Sequence, residues 1–124
     1  KILMINQKIN LKEKFNKISD HWSPKVIAEM NDYQFKLAKV KNKFVWHQHD
    51  DTDETFIVIK GNLIIEFRDT KVNLGPGEMF VVKKGTEHRP IANEECEIML
   101  IEPKGVLNTG NKRNEYTKDN DIWI

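Results

Sequence analysis

His47 and His49 are separated by one residue; Glu54 follows after four residues, Gly61 after six more, and His88 closes the segment Gly85-Thr86-Glu87-His88. Imidazole nitrogens and carboxylate oxygens are the donors that borderline first-row divalent ions take. The set His47, His49, Glu54 and His88 therefore points to a site for Zn, Fe, Mn, Ni or Co. Side chains at i and i+2 of a strand share a face, so an extended segment over residues 44–49 aims both imidazoles of His47-Gln48-His49 at one point. Glu54 then returns on the next strand. Four protein ligands around an octahedral ion leave two positions for water, dioxygen or two substrate oxygens, which suits Lewis-acid polarisation or oxygen activation. No Ser-His-Asp set, glycine-rich phosphate loop or thiol nucleophile motif is recognisable, so metal chemistry is what the sequence offers.

Such a site needs rigid elements to bring its members together. Asn10-Leu11-Lys12-Glu13 reads as a capping box, and Leu11, Phe15, Ile18 and Trp22 recur at helical spacing, which predicts a short amphipathic helix outside the main body. Ser23-Pro24 ends it. Beyond, the period becomes alternating: Val26, Ala28 and Met30, then Tyr33, Phe35 and Leu37 after Asn31-Asp32, predict a β-hairpin. Strands are predicted over residues 44–49, 54–59, 63–67, 71–74, 79–82, 89–92 and 97–102, with Gly61-Asn62 and Asp69-Thr70 as hairpin turns and Gly75-Pro76-Gly77 as a type II turn. Many short strands with no helix between them imply an all-β antiparallel sandwich or barrel. Pro103 ends the last strand, and the polar stretch 104–124 reads as an irregular tail that either wraps the surface or stays mobile as far as a docking point at Ile122-Trp123-Ile124.

With 124 residues the chain has room for one hydrophobic core. Twenty Lys plus Arg against 19 Asp plus Glu leave a formal charge of +1, too little to imply nucleic acid or an anionic membrane as partner. No apolar run approaches the roughly 20 residues that span a bilayer. Cys96 is the single cysteine, so no intramolecular disulfide forms, which fits the cytoplasm, and the thiol reads as a small buried apolar group. Lys1-Ile2-Leu3-Met4-Ile5-Asn6 lacks the long apolar region and cleavage site of a signal peptide, and a lysine at position 1 implies that the natural chain begins upstream.

The spacing His47-x-His49, Glu54, Gly61 resembles the first motif of the cupin superfamily, and Gly77, Gly85 and His88 resemble its second, the likeness covering residues 24–103. The first motif's leading glycine falls at Lys41, and the second motif's proline and asparagine fall at Lys83 and Ala92; in the family none of the three is a ligand. The resemblance, to small single-domain bacterial cupins, implies a jelly-roll barrel, often dimeric, with one divalent metal on His47, His49, Glu54 and His88. It divides the chain into an N-terminal helical extension (residues 1–23), the barrel (24–103) and the C-terminal tail (104–124).

Outside that set the bland readings are preferred. His21 has no ligand spacing and reads as structural, and Asp50-Asp51-Thr52-Asp53 lacks the glycine and terminal glutamate of an EF-hand, so it reads as a strand connection. Alternation sends Trp46 to the face opposite the histidines, toward a sheet or subunit partner, and turns Arg89 outward beside His88. The same rule puts Phe56 and Val58 inward with Glu54, joined by Tyr33, Phe35 and Leu37, and so predicts a mainly apolar pocket around the metal. Three functions follow: a metal-dependent isomerase, lyase or dioxygenase on a sugar derivative, organic acid or aromatic; a non-catalytic module that binds or senses a small molecule; or a metal that only staples the fold. Sheet edges and the outward Trp46 predict a homodimer.

Overall fold

The structure is a computed structural model that describes residues 7–124. The segment Lys1 to Asn6, read above for a signal sequence, lies outside the described residues. Helix α1 (Leu11–Phe15) is followed by β1 (Lys25–Met30), β2 (Tyr33–Lys43), β3 (Glu54–Lys60), β4 (Leu63–Glu66), β5 (Lys71–Leu74), β6 (Met79–Val82) and β7 (Arg89–Pro103). The strands form an antiparallel sheet in the order β1-β2-β7-β3-β6, with β4 paired to both β5 and β7. The long strand β7 carries the fold. Its C-terminal half lies between β2 and β3, while its N-terminal end pairs with β4 and with the far end of β2, so the sheet curls on itself as a jelly-roll barrel. No helix among the described residues is long and apolar enough to cross a membrane.

The β1–β2 hairpin forms at Asn31-Asp32, with Asn31 in the left-handed region (φ 55°). Asp69-Thr70 closes the β4–β5 hairpin through a 2.8 Å bond from the Phe67 N–H to the Thr70 carbonyl, and Glu78 N–H returns to the Gly75 carbonyl across the Pro76-Gly77 turn. Gly61-Asn62 is not a hairpin. β3 and β4 do not pair with each other; each pairs with a different stretch of β7, so the chain turns a corner there. Gly61 has φ +92°, and a Cβ on it would stand 3.1 Å from both Cys96 Cα and the Glu95 carbonyl, so the corner requires glycine.

Two further expectations are corrected. The helix stops at Phe15 after five residues; Asn10 accepts the Glu13 N–H as its N-cap, but Trp22 lies outside it with its own backbone in the left-handed region (φ 59°). Ile18 nevertheless buries, and with Phe15, Ile27 and Leu37 it forms a second core outside the barrel. Burying Phe15 fully stabilises this packing by roughly 2 to 3 kcal/mol. Leu37 and Phe35 therefore face the helix, not the barrel, and Tyr33 is exposed. Because the helix covers the outer side of β2, its apolar residues belong there, and Gln34, Lys36, Ala38 and Val40 turn inward. The barrel core is built from Val40, Phe56, Val58, Leu63, Ile65 and Ile98 with their neighbours, and Cys96 lies in it, its thiol pushed up to about 11 by burial and by Glu97.

The tail is docked along its length. Val26 pairs with Trp123 in a parallel bridge, its N–H bonding the Ile122 carbonyl at 2.7 Å, while Asn108 donates to the Trp22 and Tyr116 carbonyls.

Candidate metal centre

Residues 44–49 are not the regular strand that alternation required. A register shift between Val40 and Asn42 (φ 69°) bends β2 just before it ends at Lys43, and the next segment keeps one antiparallel bridge, His47 with His88. That bridge positions two imidazoles at once. The two residues exchange backbone bonds of 3.0 and 2.9 Å, and their rings lie 4.4 Å apart. His49 is pinned by the Gly85 N–H on its carbonyl at 2.8 Å, and Glu54 enters from the first position of β3.

One ligand atom from each of His47, His49, Glu54 and His88 lies within 4.8 Å of the other three, and all four residues are buried. His47 Nδ1 donates to the Val45 carbonyl and His88 Nδ1 to the Thr86 carbonyl, both at 2.9 Å. Each bond spends the Nδ1 hydrogen on the backbone and leaves Nε2 with its lone pair toward the centre. Glu54 Oε1 stands 3.4 Å from both His49 Nε2 and His88 Nε2, too long for good hydrogen bonds, and these three buried atoms have no hydrogen-bond partner. Buried polar atoms left unpaired cost free energy, and a divalent cation between them would satisfy all three, so the donor set fits such an ion.

The charges agree with that fit. Burial first, then the neighbouring His88 imidazole, pushes the His47 pKa down to about 4, so its imidazole is neutral. Burial works to raise Glu54, but the facing His49 and His88 outweigh it and hold the carboxyl well below its ordinary range.

Behind Glu54 lies a pair that alternation did not reveal. The β3–β7 register that sets Thr55 against Ile101 brings Glu102 beside Glu54, and Lys36 Nζ donates to Glu102 Oε2 at 2.6 Å with both side chains almost wholly buried (3% and 2% exposed). Burial and the charge of Glu54 push the Glu102 carboxyl well above its ordinary range. The inward period of β2 through Gln34, Lys36, Ala38 and Val40 carried the signal, masked by the stronger apolar pattern of Tyr33, Phe35 and Leu37.

A family model described as the cupin domain matches residues 34–102, more than half of the chain. The chain belongs to the cupin domain family. It is similar to YdbB of Bacillus subtilis (strain 168), with 36% identity over 98 residues, covering 70% of this chain and 87% of that one. Among solved structures, it superposes on a cupin-2 domain protein from Shewanella frigidimarina NCIMB 400 with a TM-score of 0.77 at 61% identity, covering 77% of this chain and 94% of that one. Protein NMB1881 from Neisseria meningitidis gives a TM-score of 0.73 at 31% identity, covering 79% of this chain and 100% of that one.

Beside His47 the cupin barrel opens into a cavity of about 290 Å³, walled on one side by Trp46, Gln48 and Asp50 and on the other by Thr109, Asn111, Lys112 and Asn114 of the tail. Its lining is mixed, not mainly apolar as the sequence reading proposed, because Phe56 and Val58 are close-packed core beneath the centre. Trp46 turns away from the centre, as alternation indicated, and borders the cavity from the outer side; the Arg68 guanidinium lies 3.8 Å from its ring centre and that of Arg89 5.0 Å. Arg89 itself turns away from the centre, as alternation indicated, and bonds Glu66. His21 stands apart on Glu95 at 2.7 Å. Asp53 bonds the Lys84 N–H, in keeping with a strand connection over 50–53.

Proposed function

We infer that this cupin holds one divalent transition ion, Zn, Fe, Mn, Ni or Co, on His47, His49, Glu54 and His88, and presents it to a small organic molecule. The reading rests on one observation above all: the buried, mutually facing and unpartnered Nε2 atoms of His49 and His88 and Oε1 of Glu54. When bound, such an ion supplies Lewis-acid polarisation or oxygen activation. The chain's own residues do the rest. Val45 and Thr86 carbonyls hold the His47 and His88 tautomers, and the cavity beside His47 gives a molecule of modest size a place to sit. A purely structural metal would not need such a cavity.

A second reading, a binding or sensing module without turnover, is favoured by the cavity's carboxylates. Glu87 is engaged by two bonds from Arg68, and Asp50 accepts from Gln48 Nε2, so neither stands ready as a general base. A homodimer is also part of the proposal, supported by the exposed Met79 and Val81 on the edge strand β6, and a cytoplasmic setting by the unpaired Cys96.

Elemental analysis of protein purified without an affinity tag tests the metal reading, with His47→Ala and His49→Ala as controls. About one equivalent in the wild type and little in the variants is expected. Equal metal in all three would overturn the assignment. Candidate acids and sugars that shift the melting temperature of the metal-loaded protein are then assayed for product; binding without product supports the module.

A further inference from the structure

Glu54 and Glu102 stand opposite each other across two strands. The antiparallel register that sets Thr55 against Ile101 continues to Glu54 against Glu102, and both buried side chains turn into the barrel. On its other side Glu54 faces Val82 of β6, and the next pair along the same inward face is Phe56 with Leu100, all three of them buried and apolar. Among these sheet neighbours only Glu102 can hold the Glu54 carboxyl by a polar contact, and it lies within hydrogen-bonding reach of it.

Lys36 fixes Glu102 in turn. Its Nζ donates to Glu102 Oε2 at 2.6 Å and to the Val106 carbonyl at 3.3 Å, so the ammonium is tied to β7 and to the tail at once. The second oxygen, Glu102 Oε1, is buried and meets no donor N–H. Two buried carboxyls that face each other hold one proton between them, because like charges at that distance do not both ionise, so the contact is a hydrogen bond and not a repulsion. A chain of polar contacts therefore runs from Lys36 through Glu102 to the Glu54 carboxyl, whose Oε1 faces His49 and His88.

The fold gives no reason of its own for this pair. The barrel core beside it is built from Ala38, Val40, Val58 and Ile98, and apolar residues of similar volume in place of a buried ion pair commonly hold a protein as well or better. A ligating carboxylate, by contrast, serves a metal only when it is aimed, and the partner behind a ligand sets its aim.

We propose that Lys36 and Glu102 are positioning residues that hold Glu54 in the orientation the metal centre needs. The proposal rests on the metal reading, with Glu54 as a ligand.

Cobalt(II) titration of the full chain, in competition with a chromophoric chelator, tests it, with the visible spectrum of bound cobalt and the metal-free melting temperature recorded on the same samples. The double variant Lys36→Met/Glu102→Leu removes both groups together and leaves neither unpaired. It is expected to melt no lower than wild type and to bind cobalt about 10- to 100-fold more weakly, the usual cost of losing the partner behind a ligand. Glu102→Gln keeps the shape, accepts from Lys36 and donates to Glu54, so it should keep affinity and spectrum near those of wild type. In a Glu54→Ala background the double change should cost nothing further, because no carboxylate remains to be aimed. Lys36→Met alone, which changes a single side chain, should weaken cobalt binding in the same direction and decides the matter should the double variant not fold. Undiminished affinity in the variants lacking Lys36, an equal loss in the Glu54→Ala background, or a Glu102→Gln protein as weak as the double variant overturns the proposal. A wild type that takes up no cobalt overturns the metal reading and this proposal with it, whereas full wild-type binding with any of those three results overturns the positioning role alone.

Discussion

His47 shows how surroundings decide what an imidazole does. With its pKa pushed down to about 4 by burial and by His88, it offers a lone pair at neutral pH without first losing a proton. In the unfolded chain the same group titrates near about 6.5. Between those values the unfolded state binds more protons, so stability is complete above about 6.5 and drains away as pH falls toward 4, by roughly 3 kcal/mol. Glu54, held well below its ordinary range, adds a loss in the same direction as pH falls beneath about 4.5. Denaturant unfolding of the metal-free protein should therefore show its midpoint dropping between pH 6.5 and 4, and His47→Gln should flatten part of that slope. A midpoint independent of pH would contradict the burial argument. At this scale the sequence was most legible, because ligand types at fixed spacing carry chemistry directly. The outward turn of Trp46 was legible too, its ring lying against Arg68 and Arg89, although residues 44–49 keep a single bridge and not the regular strand that the spacing predicted.

Among the elements, β2 and the tail hold what patterning left obscure. β2 is buried on both faces, so its apolar residues followed the helix side and left Lys36 to meet Glu102 inside the barrel. Most of the strands, the Asn31-Asp32 and Asp69-Thr70 hairpins and the Gly75-Pro76-Gly77 turn were readable from alternation and turn chemistry, whereas 44–49 keeps a single bridge and the two strands expected over 89–92 and 97–102 run as one, β7. The β3–β4 corner at Gly61 was not, because glycine next to asparagine signals a turn without saying which strand the chain meets next. The tail was read as docked by Ile122-Trp123-Ile124, yet its contact with Gln48 depends on tertiary approach alone. Gly110→Ala tests that contact. The left-handed φ alone costs about 1 to 2 kcal/mol, and collision with the Gln48 carbonyl adds to it. The variant is expected to melt several degrees lower and to hold metal more weakly, since the strap lies on the His47-Gln48-His49 segment. Unchanged metal affinity would mean that the tail serves the cavity and not the centre.

Taken whole, the molecule is a barrel that concentrates its polar groups at one place. β3, the His47–His88 bridge and the His49–Gly85 contact bring four donors from distant parts of the chain to a common point, while the tail closes the cavity beside it. The face that carries exposed Met79 and Val81 lies along the β6 edge, and pairing two copies would cover it. Light scattering at micromolar concentration should return twice the 14.6 kDa chain mass, and a monomer there would remove the dimer. The central claim is a single ion shared by the four side chains, and anomalous diffraction from metal-loaded crystals tests it most directly. One anomalous peak at about 2.0 to 2.2 Å from His47 Nε2, His49 Nε2, His88 Nε2 and a Glu54 oxygen is the expected result. A map with no peak among those atoms, or with its peak elsewhere in the molecule, would contradict the account.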